Sequence, residues 1–356
     1  MKNPTFCIGL MSGTSLDGLD ICYVQFDDNQ LFEILLAETI DYSSDWRTKL
    51  TEAFQYSAMD LCQLDVEFGY FLGEQVKEFI HKNKIEKVDF VASHGQTIFH
   101  QPQKSFTLQI GNGAAIASRC QQKVVCDFRT QDVILGGQGA PLVPIGDELL
   151  FSNYDACLNL GGFSNISMNR NGKRIAFDIC PINIVLNHYA KQLGFDFDKN
   201  GERAEQGHIN IALVEELNLL NFYHQPFPKS LGFEWVMNEF LTIVDKYDIS
   251  IEDKLRSCVE HFVIQIKNTF ALYDINNVLI TGGGVRNSFF INRLRELSTV
   301  EIIIPTDNLI DFKEALIFAF LGYRRVHNEI NCLASVTGAS NCLLYTSPSP
   351  RDVEES

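Results

Sequence analysis

A turn rich in glycine and hydroxyl residues near the start of the chain has the composition of an anion-binding site. An apolar run at 6–10 leads into this turn, and alternating apolar residues at 19–26 lead out of it. A turn of this kind between two strands exposes several backbone N–H groups on one side, and these groups attract phosphate. Asp17 and Asp20 would repel a bare phosphate, so they fit a metal ion or local turn bonds better. An ordinary hairpin turn is the alternative interpretation of the same residues.

Glycine turns that follow a strand recur in the second half of the chain. One turn follows a buried strand at 156–160, and another follows a strand at 277–281. The turn residues are Gly161 and Gly162 in the first case, and Gly282, Gly283 and Gly284 in the second. One glycine turn is a weak signal, but three with these flanks predict a nucleotide site more strongly. Turns in both halves favour a protein that clamps a nucleotide between two similar lobes.

Polar and titratable side chains follow other predicted strands, at the edge where open α/β sheets place ligand groups. His94 and Gln96 follow one strand, and two further strands end on Arg129 and Asp178. A carboxylate at a strand end can accept a proton as a general base, and the planar fork of an arginine suits a substrate carboxylate. Glu314 lies in the first turn of a predicted helix, where the helix dipole alone favours it. The structural alternatives are a buried histidine and an ion pair between Arg129 and a neighbouring aspartate.

Composition excludes several classes of protein. The chain has 356 residues, of which 46% are apolar and 21% charged, as is typical of a globular protein with two domains. The net charge of −16 disfavours nucleic acid as a partner, because such proteins need a basic face. The longest apolar run, at 315–321, is far shorter than the ~20 residues of a membrane helix. We therefore expect a cytoplasmic protein without a membrane partner, whose scattered cysteines are reduced.

Periodicity predicts an α/β chain with a domain boundary near Arg129. Helices are predicted at 45–83, 182–193, 234–245, 252–272, 289–297 and 312–327. Residues 196–210 and 226–230 are predicted loops. The predicted lobes are 1–129, joined by a segment near 333–342, and 130–332, with 343–356 as a disordered or foreign tail.

Together these motifs resemble the anhydro-N-acetylmuramic acid kinases, a family of the sugar kinase/heat-shock/actin superfamily. The matching stretches occur in the family's order from residue 9 to residue 339. They are 9–18, 93–97, 108–111, 127–129, 136–144, 159–162, 229–230, 282–287, 314–319 and 336–339. The resemblance implies a two-lobed actin/hexokinase-like (ribonuclease H-like) α/β fold with duplicated mixed sheets and flanking helices.

The resemblance also implies an activity. The family hydrolyses the 1,6-anhydro bond of anhydro-N-acetylmuramic acid with water and phosphorylates O6 with ATP. The product, N-acetylmuramic acid 6-phosphate, belongs to the recycling of cell-wall peptidoglycan and to amino-sugar metabolism. The implied cofactors are ATP and Mg²⁺, and the implied partners are the sugar and a second copy of the chain in a homodimer.

The resemblance assigns roles to individual residues, with Asp178 as the general base. The nucleotide phosphates are assigned to Gly13, Thr14, Ser15, Leu16, Asp17, Gly18, Leu19 and Asp20, with Asp17 as a metal ligand. The other nucleotide-binding residues are Gly161, Gly162, Gly282, Gly283 and Gly284. The sugar pocket is assigned to His94, Gln96, Arg129, Asn183 and Glu314.

One motif departs from the family pattern. The family reads Asp-Thr-Gly-Pro-Gly-Asn where this chain has Asp178-Ile179-Cys180-Pro181-Ile182-Asn183, so a β-branched residue replaces glycine at 182. Two alternatives therefore stay open. The chain is a kinase of the same superfamily that acts on a different sugar, or a nucleotide- or sugar-binding sensor without turnover. The retained carboxylate of Asp178 disfavours the sensor.

Overall fold

The computed structural model describes residues 4–13, 16, 18–27 and 31–340. The chain divides into two compact units. The first unit takes the chain up to Leu150 and again from Phe312 onward, and the second is Phe151–Asp311. The predicted tail at 343–356 lies outside the described residues.

The unit boundaries differ from the predicted ones near 129 and 332. Residues 130–150 belong to the first unit because buried polar contacts tie them to its C-terminal segment. Asp132 accepts a hydrogen bond of 2.6 Å from the hydroxyl of Thr337, and Lys313 forms a 2.7 Å ion pair with Asp147. Contacts of this kind between residues far apart in sequence leave no signal in periodicity, so the sequence could not place this boundary.

Twelve strands are described, and they are numbered here in chain order. The first unit contains β1 (Thr5–Ser12), β2 (Gly18–Phe26), β3 (Phe32–Asp41), β4 (Phe90–Ser93), β5 (Gln96–Gln101), β6 (Phe106–Ile110) and β7 (Val124–Val125). The second unit contains β8 (Ala156–Leu160), β9 (Phe163–Arg170), β10 (Lys173–Pro181), β11 (Asn277–Thr281) and β12 (Glu301–Ile303).

The α-helices are likewise numbered in chain order. They are α1 (Ser44–Glu52), α2 (Ala58–Lys82), α3 (Gly113–Cys120), α4 (Thr130–Ile134), α5 (Val143–Leu150), α6 (Asn183–Gln192), α7 (Glu202–Gln206), α8 (Ile211–Asn218), α9 (Asn221–His224), α10 (Phe233–Trp235), α11 (Leu241–Val244), α12 (Ile251–Leu272), α13 (Ser288–Leu297), α14 (Asp307–Val326) and α15 (Ala334–Thr337). A π-helical turn, Val236–Phe240, joins α10 to α11.

The two units repeat one sheet topology. The first sheet has the strand order β3-β2-β1-β4-β7, and the second has the order β10-β9-β8-β11-β12. In the first sheet, β1, β2 and β3 pair antiparallel, and β4 and β7 are parallel to β1. In the second sheet, β8, β9 and β10 pair antiparallel, and β11 and β12 are parallel to β8. This duplicated mixed sheet is the one that the family resemblance implies, so the predicted fold class is confirmed.

Each sheet is covered by helices with one apolar stripe. In the first unit, α2 buries Leu64, Phe68, Leu72, Val76 and Phe79, which lie three or four residues apart. The hydroxyl of Ser57 caps the start of α2 by accepting from the N–H of Asp60. In the second unit the middle of α12 is buried, and the helix packs against β10, α6, α8 and α13. No helix in the described ranges is long and apolar enough to cross a membrane.

Several predicted elements have other bounds in the structure. The strand β7 ends at Val125 and does not reach Arg129, because Asp127 has a positive φ of 59°. The predicted loop at 196–210 contains α7, since the carboxylate of Asp198 accepts from the N–H groups of Arg203 and Ala204. The strand β10 continues past Asp178 to Pro181 across a bulge.

Gly9 allows β1 and α14 to pack backbone against backbone. A Cβ atom on residue 9 would collide with the carbonyl group of Ala315 and would lie 3.0 Å from the Cβ of Ala319. Both partners are fully buried. This close approach fixes the position of α14, and hence of Glu314, against the central strand of the first sheet.

We expect Gly9→Ala to destabilise the protein, because overpacking a core typically costs about 1–3 kcal/mol. The first unfolding transition in calorimetry should shift down by several degrees. Gly232→Ala is the matched control, because Gly232 has a φ of −114° and the nearest atom to an added Cβ is the flexible end of Glu234. An unchanged melting temperature for Gly9→Ala would contradict the packing described here.

Candidate functional site

The glycine turn between β1 and β2 is a hairpin turn, as the sequence predicts. The carbonyl of Gly13 accepts from the N–H of Leu16 over 3.2 Å, and Leu16 has a positive φ of 56°. Leu19 is buried, so only its backbone can face a ligand. Gly18 packs against the backbone of Ile40, where a Cβ would lie 2.6 Å from the carbonyl oxygen. The predicted nucleotide residues Thr14, Ser15 and Asp17 lie outside the described residues.

Hydroxyl and carboxylate groups flank this hairpin. The hydroxyl of Ser12 is hydrogen-bonded to the side chain of Gln96 and lies 2.7 Å from the hydroxyl of Tyr42. Asp20, which is half-buried on β2, accepts a hydrogen bond of 2.6 Å from the hydroxyl of Thr39. The side chain of Gln96 is therefore held through its amide oxygen by the strand that leads into the hairpin.

Arg129 and His94 form a hydrogen-bonded pair. The Nε of Arg129 donates to Nε2 of His94 over 2.9 Å, and one terminal nitrogen of Arg129 donates to the carbonyl of Gly139 over 2.6 Å. The Nδ1 of His94 lies 2.8 Å from the carbonyl of Gly95, so Nδ1 carries the proton. Burial, together with the charge of Arg129, lowers the pKa of His94 to about 3, so its ring is neutral.

The structural alternative for Arg129 is therefore wrong. Among the described residues, Arg129 forms no ion pair with an aspartate, and its fork instead fixes the histidine and the glycine-rich 136–144 segment. Glu314 and Asp132 are the carboxylates whose charges act on it most, at longer range. Arg129 thus keeps a positive charge that a substrate carboxylate could meet.

Glu314 does not lie in the first turn of its helix. The helix α14 begins at Asp307, so Glu314 is two turns further along, where the helix dipole gives no advantage. Its side chain reaches solvent, yet lost hydration raises the pKa of its carboxyl group. The Asp20 carboxylate adds to this increase, whereas Arg129 and Lys313 oppose it. Glu314, Asp20 and Arg129 therefore belong to one electrostatic cluster in the first unit.

The second unit brings its two glycine turns together. The strands β8 and β11 are parallel neighbours, so the turns after them lie at the same edge of the sheet. Gly282 has a positive φ of 87°, and a Cβ there would collide with the side chain of Asn159 and the carbonyl of Leu160. A Cβ on Gly283 would meet no atom within 4 Å, so the backbone at this position is open to a ligand.

The start of α6 closes over the first of these turns. The N–H of Asn183 donates to the carbonyl of Gly161 over 3.2 Å, and the N–H of Ile182 donates to the carbonyl of Gly162 over 2.8 Å. Ile182 has a φ of −125°, which lies outside the positive-φ region that favours glycine. Asn183 therefore belongs to the glycine turn of the second unit, and the substitution at 182 leaves this connection intact.

Asp178 lies on β10, opposite Asn165 of β9. One carboxylate oxygen accepts a hydrogen bond of 2.8 Å from the N–H of Leu231, and the N–H of Asp178 donates to the carbonyl of Lys229 over 3.1 Å. Burial raises the pKa of the Asp178 carboxyl group, and the Leu231 hydrogen bond counters part of the increase. The carboxylate does not cap α6, whose N-cap position makes no side-chain hydrogen bond.

Ser164 fixes the bulge that follows Asp178. Its hydroxyl accepts from the N–H of Cys180 over 3.1 Å and lies 3.0 Å from the carbonyl of the same residue. Ser164 and Cys180 are both fully buried. One hydroxyl therefore bonds to both backbone groups of Cys180 beside the bulge.

The sequence missed Leu231, Ser164 and the role of Lys229 around Asp178. A backbone donor such as the N–H of Leu231 has no signature in residue type. In the sequence, Ser164 is one residue of a turn rich in glycine and serine, which gives no sign of its contact with Cys180.

Among the described residues no group of three His, Cys, Asp or Glu side chains could hold a metal ion, and every described cysteine has a free thiol.

Comparison with known proteins gives a single family. The sequence model of the family described as anhydro-N-acetylmuramic acid kinase matches residues 5–349. The anhydro-N-acetylmuramic acid kinase of Haemophilus influenzae is 34% identical, and the alignment covers 98% of this chain and 99% of that protein. The protein of the same name from Clostridioides difficile is 35% identical, with 97% of this chain and 98% of the relative covered.

The solved structures found by comparison share little sequence with this protein. Component A of (R)-2-hydroxyglutaryl-CoA dehydratase from Acidaminococcus fermentans is 13% identical, with 91% of this chain and 99% of that chain covered and a TM-score of 0.48. A ROK family glucokinase from Streptomyces griseus, in complex with glucose and AMPPNP, is 11% identical, with 89% and 98% covered and a TM-score of 0.42.

We expect Ser164→Ala to lower stability by about 1–3 kcal/mol, because it leaves the buried N–H and carbonyl of Cys180 without their partner. The melting temperature should fall by several degrees. Ser118→Ala is the control, because the hydroxyl of Ser118 donates to a carbonyl within α3 and bridges no bulge. Equal melting temperatures for the two variants would contradict the role given to Ser164.

Proposed function

The chain belongs to the anhydro-N-acetylmuramic acid kinase family, and on this premise we propose how its residues carry out the family's reaction. The chain is an ATP-dependent sugar kinase of cell-wall recycling. The match over residues 5–349 carries this conclusion, because it includes every glycine turn and polar strand end described above. The reaction combines hydrolysis of the 1,6-anhydro bond with transfer of a phosphoryl group to O6.

The glycine turns are the proposed nucleotide-binding elements. Phosphoryl transfer depends on positioning and on charge neutralisation, and backbone N–H groups supply both without a basic surface. The hairpin at 13–20 and the turn at Gly161-Gly162 suit the phosphates. The open backbone at Gly283 suits the nucleoside. Binding through backbone N–H groups agrees with the net charge of −16, because a protein without a basic surface needs local donors to hold an anion.

Asp178 is the proposed general base. It removes a proton from the water that attacks the anomeric carbon, and the O6 atom released by bond cleavage then attacks the terminal phosphate of ATP. A base must be ionised to accept the proton, and the N–H of Leu231 stabilises that form. Partial burial makes the carboxylate a stronger base than an exposed aspartate, since it raises the pKa.

The proposed sugar-binding residues have matching chemistry. Arg129 keeps a positive charge without an ion pair to an aspartate of the described residues, so it suits the lactyl carboxylate of the muramic sugar. Neutral His94 holds the guanidinium in place, and Gln96 offers its amide to a hydroxyl group. Glu314 suits a sugar hydroxyl as an acceptor. Asn183, at the turn of the second unit, is proposed to contact the sugar or the transferred phosphate.

Asp17 is the proposed ligand of Mg²⁺, with Asp20 as a second candidate carboxylate. A magnesium ion in a kinase usually takes one or two protein carboxylates together with substrate phosphates and water. When bound with ATP, the ion would neutralise charge on the phosphates.

A cytoplasmic location and a homodimer are proposed from the family resemblance.

A related kinase of another sugar remains the second candidate, because the 179–182 segment departs from the family pattern. Incubation with a panel of amino sugars and ATP separates the two candidates. Turnover restricted to a sugar without the anhydro bond would favour the second.

We expect the product of anhydro-N-acetylmuramic acid, Mg-ATP and ¹⁸O-water to carry one ¹⁸O at C1 and a phosphate at O6. The water oxygen enters at the anomeric carbon because hydrolysis breaks the bond between C1 and O6. Mass spectrometry of the product measures both changes. Phosphorylation without ¹⁸O incorporation, or hydrolysis without ATP consumption, would contradict the proposed reaction.

We expect Asp178→Asn to lower kcat by ~10²–10⁴, the range for loss of a general base. The dissociation constants of sugar and ATP should change only a few-fold, because the lost interaction acts mainly in the transition state. If Asp178 instead binds the metal, ATP affinity should weaken as well, and more Mg²⁺ should partly restore the rate. Near-wild-type kcat would falsify the assignment of Asp178 as the base.

A further inference from the structure

The segment 226–231 covers an open strand edge at Asp178. The strand β10 is the last strand of its sheet, so N–H groups on its outer side have no ladder partner. At Asp178 this N–H donates to the carbonyl of Lys229. Phe227 adds a second attachment, since its ring stacks on Phe177 with 6.1 Å between the centroids. The segment therefore runs along the strand that presents the proposed base.

The same segment supplies the hydrogen bond to the carboxylate. The N–H of Leu231 donates to one oxygen of Asp178 over 2.8 Å, and no other donor to this carboxylate is found among the described residues. A single short hydrogen bond sets both the side-chain orientation and the stability of the charged form. Whatever holds the 229–231 backbone in place thus acts on the base.

Lys229 anchors this segment. Residues 224–228 and Ser230 are exposed, whereas Lys229 is half-buried. Its ammonium group donates to the carbonyl of Phe222 over 3.2 Å and lies 4.6 Å from the centre of the buried Phe222 ring. Lost hydration lowers the pKa of Lys229, and the side chain forms no ion pair with a carboxylate of the described ranges. A lysine that loses hydration for a carbonyl and an aromatic ring is serving local structure.

We propose that Lys229 is a positioning residue for Asp178, which acts by fixing the backbone that donates to the carboxylate. The proposal rests on the proposed role of Asp178 as the base. The ammonium group is directed to the carbonyl of α9, so Lys229 reaches the reaction only through Asp178. This separates it from a lysine that binds phosphate directly, although both would appear in a sequence as one basic residue near a glycine-rich kinase motif.

Loss of the anchor has a predictable effect on the pH profile. The Leu231 hydrogen bond lowers the pKa of Asp178, and burial raises it. If the 229–231 backbone loosens, the bond weakens and the pKa of the base rises. Because the base acts when ionised, the acidic limb of the kcat/KM profile must then move to higher pH.

The test compares Lys229→Met, Lys229→Arg and the control Lys173→Met. Methionine keeps the aliphatic stem and removes the donor and the charge, whereas arginine keeps both. Lys173 is an exposed lysine at the start of the same strand. We expect Lys229→Met to lower kcat about 10-fold and to move the acidic limb up by about one pH unit. The KM for ATP should stay within about three-fold, as for an interaction without ground-state contact to the nucleotide. Lys229→Arg and Lys173→Met should match the wild type.

A double variant, Lys229→Met with Asp178→Asn, tests the route of the effect. If Lys229 acts only through Asp178, the double variant is as slow as Asp178→Asn alone. A further loss in the double variant, together with a raised KM for ATP, would show direct contact with the nucleotide and overturn the proposal. A wild-type kcat and acidic limb for Lys229→Met would also overturn it, and the melting temperature of each variant identifies any loss of folding.

The roles proposed for Asp178 and for Lys229 can be disproved separately. If Asp178→Asn retains wild-type kcat, the base assignment is wrong and the role of Lys229 falls with it. If Asp178→Asn is slow but Lys229→Met leaves the acidic limb in place, the base assignment stands and only the role of Lys229 is wrong.

Discussion

The proposed catalysis depends on a carboxylate, that of Asp178, which is partly buried and yet has to be ionised. Asp178 loses hydration on β10, and a single backbone N–H, that of Leu231, offsets part of the loss. Each further donor would lower the pKa of the carboxyl group and make it a weaker base, whereas loss of the Leu231 donor would raise the pKa. The bulge tied down by Ser164 and the segment held by Lys229 both exist next to this residue.

The glycine residues impose a second constraint, which is close approach of one backbone to another. Gly9 lets α14 lie directly on the central strand of the first unit, and this contact places Glu314 near Asp20 and Arg129. Gly282 lets two turns meet at the edge of the second sheet. In a chain with a net charge of −16, backbone donors presented by such turns can hold phosphate groups without a basic surface.

The fold class could be predicted from the sequence because the motifs resemble those of one family, and many strands and helices have strong local patterns. Arg129 and His94 were both predicted to be site residues, but their mutual hydrogen bond was not predicted, since it joins residues far apart in the chain. The family resemblance pointed to Asp178, whereas its backbone partner at Leu231 carries no mark in residue type. The boundary between the two units was predicted at a different place for the same reason, because the contact between Asp132 and Thr337 is set by tertiary packing.

The most direct test of this account is a crystal structure of the Asp178→Asn variant with anhydro-N-acetylmuramic acid and a non-hydrolysable ATP analogue. The account predicts that the side chain of residue 178 lies within hydrogen-bond distance of a water molecule that faces the anomeric carbon, and that the N–H of Leu231 still donates to it. A side chain that contacts the metal ion, or that lies far from the anomeric carbon with the sugar bound, would contradict the central claim.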